Sequence, residues 1–516
     1  MKRKKSVHHM IRKGSFFFLF LYGFCIIPNG YSDKPVRFDR RVFLLEGDVA
    51  DVILEDLNHD SAPDMLVVQN RSRFPDPHTD RILSIFFQKE GRLPDQADQT
   101  ILLDNDEIVF DIGDLDGDGF PDLAFLKRDG VYIRENNGTG FSEKLTLFKS
   151  IQSAFILHDP SRVNRYRFIR DMDGDDVPEM FIPEANRLSI FSKGPFSGYH
   201  EKVQLWMTPE LTLSNDPDPL TFSVQFPVLH IQDFNGDGIK DLLIQSGDRL
   251  DVYIQHPGEK TDLRAGLIPP DLRYRMAARN VNPPVLDQMA DPSVTIELED
   301  LNKDGYVDIL LTRPSRTNFT THISQIQVYV NRYGRFDLIP DQILPLENFG
   351  GEHVIGDFNH DGLLDLGMLD FRIGFSQAIQ FLLTKKASNG YLFYLMGSDG
   401  RYPDTPDKKI SFSRKVNIND ILGSQICQSF QGDFNGDGLN DFLIGTDTDE
   451  LSICIGLEND LFSEKAVYQM ETMVSSDLWV GDVNQDHFSD ILLWYPDDPA
   501  LSNQVVLIQC RAVDSQ

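Results

Sequence analysis

A nine-residue pattern occurs eight times in this chain of 516 residues, and no other feature restricts the fold so tightly. Counted from its first Asp, the pattern places a side-chain oxygen at positions 1, 3, 5 and 9. The copies start at residues 56, 114, 171, 233, 300, 357, 433 and 482, between 49 and 76 residues apart. The stretch GDFNGDGLNDFLIG at 432–445 shows the plan, an acidic turn running straight into an apolar segment. Random acidic clusters would not share one template eight times, so the chain is built of repeats.

Each repeat extends beyond its turn. Around the second copy, VFDIGDL precedes the turn, DLAFLKRD follows it, and GVYIREN and FSEKLTLF come next. These are four short strand-like runs separated by turn residues. The runs after the turns (LLI, ILL, FLI) hardly alternate in polarity, as expected of strands covered on both faces. Four strands per repeat arranged radially predict an all-β propeller. A linear solenoid would need atypical capping repeats, and none is visible. Only two strand-like runs follow the eighth turn, while a spare run, VRFDRRVFLLEG at 36–47, precedes the first. A ring closed by that N-terminal strand uses every segment and predicts eight four-stranded blades, with seven as the alternative count.

The spacing also says what the acids are for. Oxygens at alternate positions of a tight turn point inward, and Gly at position 6 (Gly119, Gly238, Gly305, Gly362 and Gly438) supplies the bend. With a backbone carbonyl at position 7 this makes an oxygen cage, which suits a hard cation and Ca²⁺ better than Mg²⁺. The first sets are Asp56, Asn58, Asp60 and Asp64, then Asp114, Asp116, Asp118 and Asp122. Next come Asp171, Asp173, Asp175 and Glu179, then Asp233, Asn235, Asp237 and Asp241. The fifth and sixth are Asp300, Asn302, Asp304 and Asp308, and Asp357, Asn359, Asp361 and Asp365. The last two are Asp433, Asn435, Asp437 and Asp441, and Asp482, Asn484, Asp486 and Asp490. Turn solvation alone would not need 26 carboxylates crowded into eight small loops, where like charges repel. Catalysis fits poorly, because a general acid needs a raised pKa and a bound cation lowers it.

These loops resemble those of the FG-GAP/VCBS repeats, known from integrin α-chain propellers, and the resemblance covers nearly the whole chain after residue 32. It implies that each loop joins the first two strands of a blade and binds calcium. Ser61, Asp176 and His487 depart from the pattern at position 6, and Glu179 departs at position 9. Position 12 is Phe125, Ile244 or Ile444 rather than Glu, so the loops are not EF-hands.

Residues 1–32 read as a secretory signal peptide, leaving 33–516 as a single propeller domain. Lys2, Arg3, Lys4, Lys5, Arg12 and Lys13 precede a mostly apolar run at 16–27 that is too short to span a bilayer. The mature chain would then hold no transmembrane segment and would be secreted, periplasmic or surface-bound. The formal charge is −31, and losing six basic residues with no acidic one takes it to −37. Such a surface disfavours nucleic acid. Cys427, Cys454 and Cys510 are too few for a disulfide framework.

No HExxH, GxSxG, Walker loop or paired CxxC occurs, and His59, His360 and His487 lie in the acidic loops at positions that should point outward. The expected function is a non-enzymatic binding or adhesion module. The alternative is an extracellular enzyme or lectin acting on acidic polysaccharide, since some polysaccharide lyases are calcium-bearing eight-bladed propellers. Arg71, Arg73, Arg162, Arg165, Arg273, Arg275, Arg279, Arg313 and Arg316 fall in segments expected to link strands on the face opposite the acidic loops, with Phe74, Tyr274 and Phe319 among them. Basic and aromatic residues together would suit an anionic glycan or an acidic protein there.

Overall fold

Every acidic turn delivers the chain into a strand whose first residue is position 9 of the pattern. Asp64, Asp122, Glu179, Asp241, Asp308, Asp365, Asp441 and Asp490 each open one. The computed structural model describes residues 36–513 apart from 73–78, 155–162, 185, 195–197, 208–209, 215–220, 226, 257–266, 277–293, 319–320, 347–352, 371–385, 416–426 and 459. The expected signal peptide therefore lies outside the described residues. No helix among those described is long and apolar enough to cross a membrane.

The strands form eight four-stranded antiparallel blades. Blade 1 spans 48–103, blade 2 109–150, blade 3 169–206 and blade 4 228–275. Blade 5 spans 295–346, blade 6 353–415 and blade 7 428–471. Blade 8 takes three strands from 478–512 and its outermost from the other end of the chain. Val36–Leu44 pairs antiparallel with Gln504–Ala512, from Val36 opposite Ala512 to Leu44 opposite Gln504.

Among the described residues the core lies between blades, in eight separate apolar clusters. This follows from the period-two geometry of a strand covered on both faces. In Asp441–Asp447, Phe442 and Ile444 join the cluster shared with blade 6, and Leu443 joins the one shared with blade 8. The ring closes in the same way. Phe43, Met65 and Val67 pack with Leu492, Val505 and Leu507, so blades 8 and 1 share a core like every other neighbouring pair.

Because strands alternate in direction, the acidic loops and the links between third and fourth strands share one face. Links between second and third strands, and between blades, occupy the other. One expectation is corrected here. Leu272–Arg275, read above as part of a linking insertion, is the outer strand of blade 4, and Tyr274 is buried in the core between blades 4 and 5. Three additions were not anticipated. A hairpin of Glu210–Ser214 and Thr221–Gln225 lies between blades 3 and 4. A smaller one, Gly456–Leu457 with Asp460–Phe462, decorates blade 7. Asn164–Arg165 pairs in parallel with the inner strand of blade 2.

Closure by the N-terminal strand is testable. Deleting residues 36–44 leaves Gln504–Ala512 as an open edge, prone to pair with other chains. The shortened protein should aggregate on mild heating. Phe43→Ala alone should cost about 3–5 kcal/mol in urea unfolding, the usual cost of truncating a buried Phe. Unchanged behaviour of both proteins would mean that the strand does not carry closure.

Candidate metal centres

The carboxylate at position 9 is the buried anchor of every loop. The seven aspartates and Glu179 are at most 2% exposed. One oxygen accepts the backbone N–H of position 2, at distances from 2.7 Å in Phe434–Asp441 to 3.3 Å in Leu115–Asp122. In seven blades the other oxygen accepts a backbone N–H at the end of the third strand or just beyond it, from Gln88, Asn136, Gln255, Asn331, Met396, Gly456 or Cys510. A single side chain thus ties the turn, the second strand and the end of the third.

Burial pushes these carboxyls up from the usual range. The two N–H donors pull the other way, and the loop acids at positions 1, 3 or 5 add repulsion. Asp64, Asp122, Asp241 and Asp365 are raised to about 6, Asp308 and Asp490 to about 7, and Asp441 to about 8.

The remaining acids fold the turn. Position 1 accepts the position 6 N–H in all eight loops, as from Gly438 to Asp433 at 2.8 Å. Position 5 accepts the position 7 N–H in all eight, as from Leu439 to Asp437 at 2.9 Å. Positions 4 and 6 both take left-handed φ. Gly438 is at 89° and Gly436 at 69°, while Ser61, Asp176 and His487 hold 63–70° without being glycine. All eight loops therefore share one conformation, including the three whose sequences depart from it. His59, His360 and His487 are exposed, as expected of positions outside the cage.

The donor set fits a hard cation. In blade 2, oxygens of Asp114, Asp116 and Asp122 lie within 4.8 Å of one another. In blade 6, Asp357 Oδ1 is buried without a hydrogen-bond partner. Among the described residues the carbonyl at position 7 takes no hydrogen bond in any loop. Blade 3 differs. The Lys202 ammonium, on its outer strand, reaches Asp173 Oδ2 at 3.0 Å and Glu179 Oε1 at 3.4 Å. Burial lowers the Lys202 pKa, but the bonds and charges of Asp173 and Glu179 outweigh it and the net shift is upward. This loop holds a cation of its own.

Two further sets of side chains join neighbouring loops. Amides of Gln88, Asn136 and Asn331 donate to the position 2 carbonyl of the preceding blade, Val483, Leu57 and Phe234 respectively, at 2.7–2.9 Å. Gln99 and Gln342 each clamp both backbone groups of an aromatic residue in the next blade, Phe141 and Tyr402. The recurring stretches QKEGR and NRYGR, and DQT and DQI, mark them in the sequence.

Three of the arginines whose side chains are described are paired with acids. Arg71 pairs with Glu46 and, at 2.8 Å, with Asp80. Arg165 bridges Glu55 and Asp111 at 2.6 and 3.1 Å, and Arg273 binds Asp251 at 2.6 Å. Arg275 is exposed on the outer strand of blade 4. Arg313 and Arg316 lie on Asp308–Asn318, the long second strand of blade 5. Arg73, Arg162, Arg279, Phe74 and Phe319 lie outside the described residues.

The molecule is an eight-bladed β-propeller with an acidic oxygen loop opening the second strand of every blade. Residues 300–368, from the loop of blade 5 into the second strand of blade 6, match the family model of the FG-GAP-like repeat. No curated protein sequence matches the chain. Among solved structures it is similar to an Agrocybe aegerita lectin described as recognising non-reducing terminal N-acetylglucosamine, with 14% identity and a TM-score of 0.34, over 84% of this chain and 87% of that one. The V. cholerae biofilm matrix protein Bap1 is similar at 10% identity and a TM-score of 0.26, over 92% and 88%. A Lactobacillus plantarum protein is similar at 9% and 0.30, over 79% and 95%. Likenesses this distant carry no functional argument.

The raised position 9 carboxyls give a signed pH effect in metal-free buffer. A carboxyl whose pKa rises on folding contributes its stability in full below the unfolded value near 3.8, and loses it as pH climbs through the folded value. The chelated protein should therefore melt lower at pH 8.5 than at pH 5. A melting temperature that stays level or rises over that interval would contradict this reading of the anchors.

Proposed function

We propose that this chain is a secreted, calcium-stabilised propeller serving as a non-enzymatic binding module. One observation carries the metal half of the reading. In every blade a buried position 9 carboxylate faces further loop acids, a cluster that folding crowds together at an electrostatic cost. A hard cation taken by positions 1, 3, 5 and 9 and the position 7 carbonyl would neutralise it, and all of those donors are oxygens. Calcium would supply charge and pin the turn between the first two strands. Blade 3 is the exception, because Lys202 already supplies a cation there.

Extracellular calcium modules bind at roughly 10⁻⁴ M or weaker. At millimolar calcium each filled site would then contribute about 1.4 kcal/mol, on the order of 10 kcal/mol over the ring. That rivals the net stability of a whole domain. Export is supported by the basic-then-apolar layout of residues 1–32. A binding role is supported by the way the repeats use the chain, with nearly every described segment placed in a blade or its links. The face opposite the acidic loops, where the blade 5 hairpin of Asp308–Asn318 and Thr321–Tyr329 extends, is the proposed site for a protein or anionic glycan ligand.

Chelation should lower the melting temperature sharply. Asp437→Ala should lower it by less, since one site of the ring is lost. The same samples on a glycan and protein array should show ligand capture that Asp437→Ala spares at low temperature. An identical melting curve in calcium and in chelator would sink the metal half, and an array blank in both would sink the binding half.

A further inference from the structure

The link between the third and fourth strands has the same length in blades 1 and 5 and one residue more, near its start, in blade 6, and the rest of it provides an internal control. Residues 89–101, 332–344 and 398–410 align without a gap. Their burial runs in step, with Leu93, Phe336 and Tyr402 buried at the same place and Ile101, Leu344 and Ile410 at the next. Four further positions of these segments, one before the first buried residue and three between the two, are exposed in all three blades. Blade 1 fills these with Glu90, Asp95, Gln96 and Thr100, and blade 6 with Asp399, Asp404, Thr405 and Lys409. Blade 5 fills the same four with Tyr333, Leu338, Ile339 and Ile343, which are 83%, 69%, 71% and 50% exposed.

Nothing in the fold requires this exchange. The turn at Tyr333 makes it costly, since its φ is 55°, a left-handed value that a bulky side chain rarely adopts. Glu90 holds the matching φ of 51° in blade 1. The ring of Tyr333 stands edge-on to Tyr306, position 7 of the blade 5 loop, with centroids 5.5 Å apart. The aromatic pair carries apolar surface from the loop onto the link, and Ile343 carries it onto the outer strand. Large exposed apolar patches on a soluble protein mark interaction sites.

The same exchange alters the charge. In blade 1, Arg92 pairs with Asp95 at 3.6 Å. Blade 5 keeps the arginine as Arg335 but has Leu338 where the acid would be, and Arg335 makes no ion pair among the described residues. Arg401 adjoins the patch through its bond to the Asp341 carbonyl at 3.2 Å, and it too makes no ion pair among the described residues. The local acids Asp337 and Asp341 are both taken by Arg332. A chain of formal charge −31 thus presents here an apolar strip beside unpaired guanidinium groups.

We propose that this strip on blade 5 is a docking surface for another protein, one that presents an acidic segment with an apolar anchor side chain. Tyr and Arg are the residues most enriched where binding energy concentrates, and Arg335 and Arg401 select the acid. Aliphatic Leu338, Ile339 and Ile343 offer a sugar no hydrogen bond. An anionic bilayer would repel so acidic a chain. The surface lies on the acidic-loop face, so it is independent of any ligand held on the opposite face.

The test uses the full chain and a phage library of random dodecapeptides. The control is the variant Tyr333→Glu, Leu338→Asp, Ile339→Gln and Ile343→Thr, which installs residues that blade 1 already carries in the same backbone. It should melt like the parent. The parent should enrich peptides combining Asp or Glu with Leu, Phe or Trp, and the fourfold variant should bind them at least tenfold more weakly. Arg335→Ala should weaken binding severalfold and flatten its salt dependence. Equal enrichment by parent and variant, or enrichment of basic peptides, would overturn the proposal. So would flotation of the parent but not the variant with phosphatidylserine vesicles, or a dimer of the parent in sedimentation that the variant abolishes.

Discussion

One hydrogen-bonding arrangement recurs in every blade, and the rest of the structure is arranged around it. A carboxylate at the first residue of the second strand, shut away from water, accepts the N–H of position 2 and, in seven blades, an N–H at or just beyond the end of the third strand. Hydrogen bonds to a charged acceptor are among the stronger ones, and burial raises the stakes further. The arrangement fixes three strands of a blade relative to one another at a single point. Its electrostatic liability is the crowd of further acids in the same turn, and the cation in the proposed function answers that liability. Blade 3 illustrates the same need met differently, with Lys202 standing over Asp173 and Glu179.

Loops so anchored are also joined to one another. The amides of Gln88, Asn136 and Asn331 reach back to the previous blade, and Gln99 and Gln342 reach forward to the next. Together with the eight interblade cores, they make each loop's geometry depend on its neighbours. This gives a physical reason why Ser61, Asp176 and His487 hold the left-handed conformation that glycine adopts more cheaply. Closure by Val36–Leu44 completes the circuit, since an open ring would leave blades 1 and 8 without a shared core.

Much of this was legible in the sequence because it is local and repeated. The acidic turn, the doubly covered strand after it and the spare run near residue 36 are each visible within a dozen residues, and eight copies reinforce one another. The arginines were not legible in the same way. Arg71 finds Glu46 across 25 positions and Arg273 finds Asp251 across 22, pairings that only strand register reveals. The segment LRYR looked like a basic loop, yet its alternation, with Tyr274 buried between exposed Arg273 and Arg275, is that of an outer strand. Lys202 lies 23 residues from Glu179, on a strand that no feature of the acidic pattern marks.

The most direct measurement is a count of bound metal. The full chain would be dialysed to equilibrium against millimolar calcium, and calcium per chain determined by emission spectroscopy alongside Asp437→Ala and Lys202→Met. The account predicts about seven ions in the parent, eight loops less the one Lys202 fills, with one fewer in Asp437→Ala and one more in Lys202→Met. A parent that retains no calcium, or counts that do not move with either substitution, would contradict it.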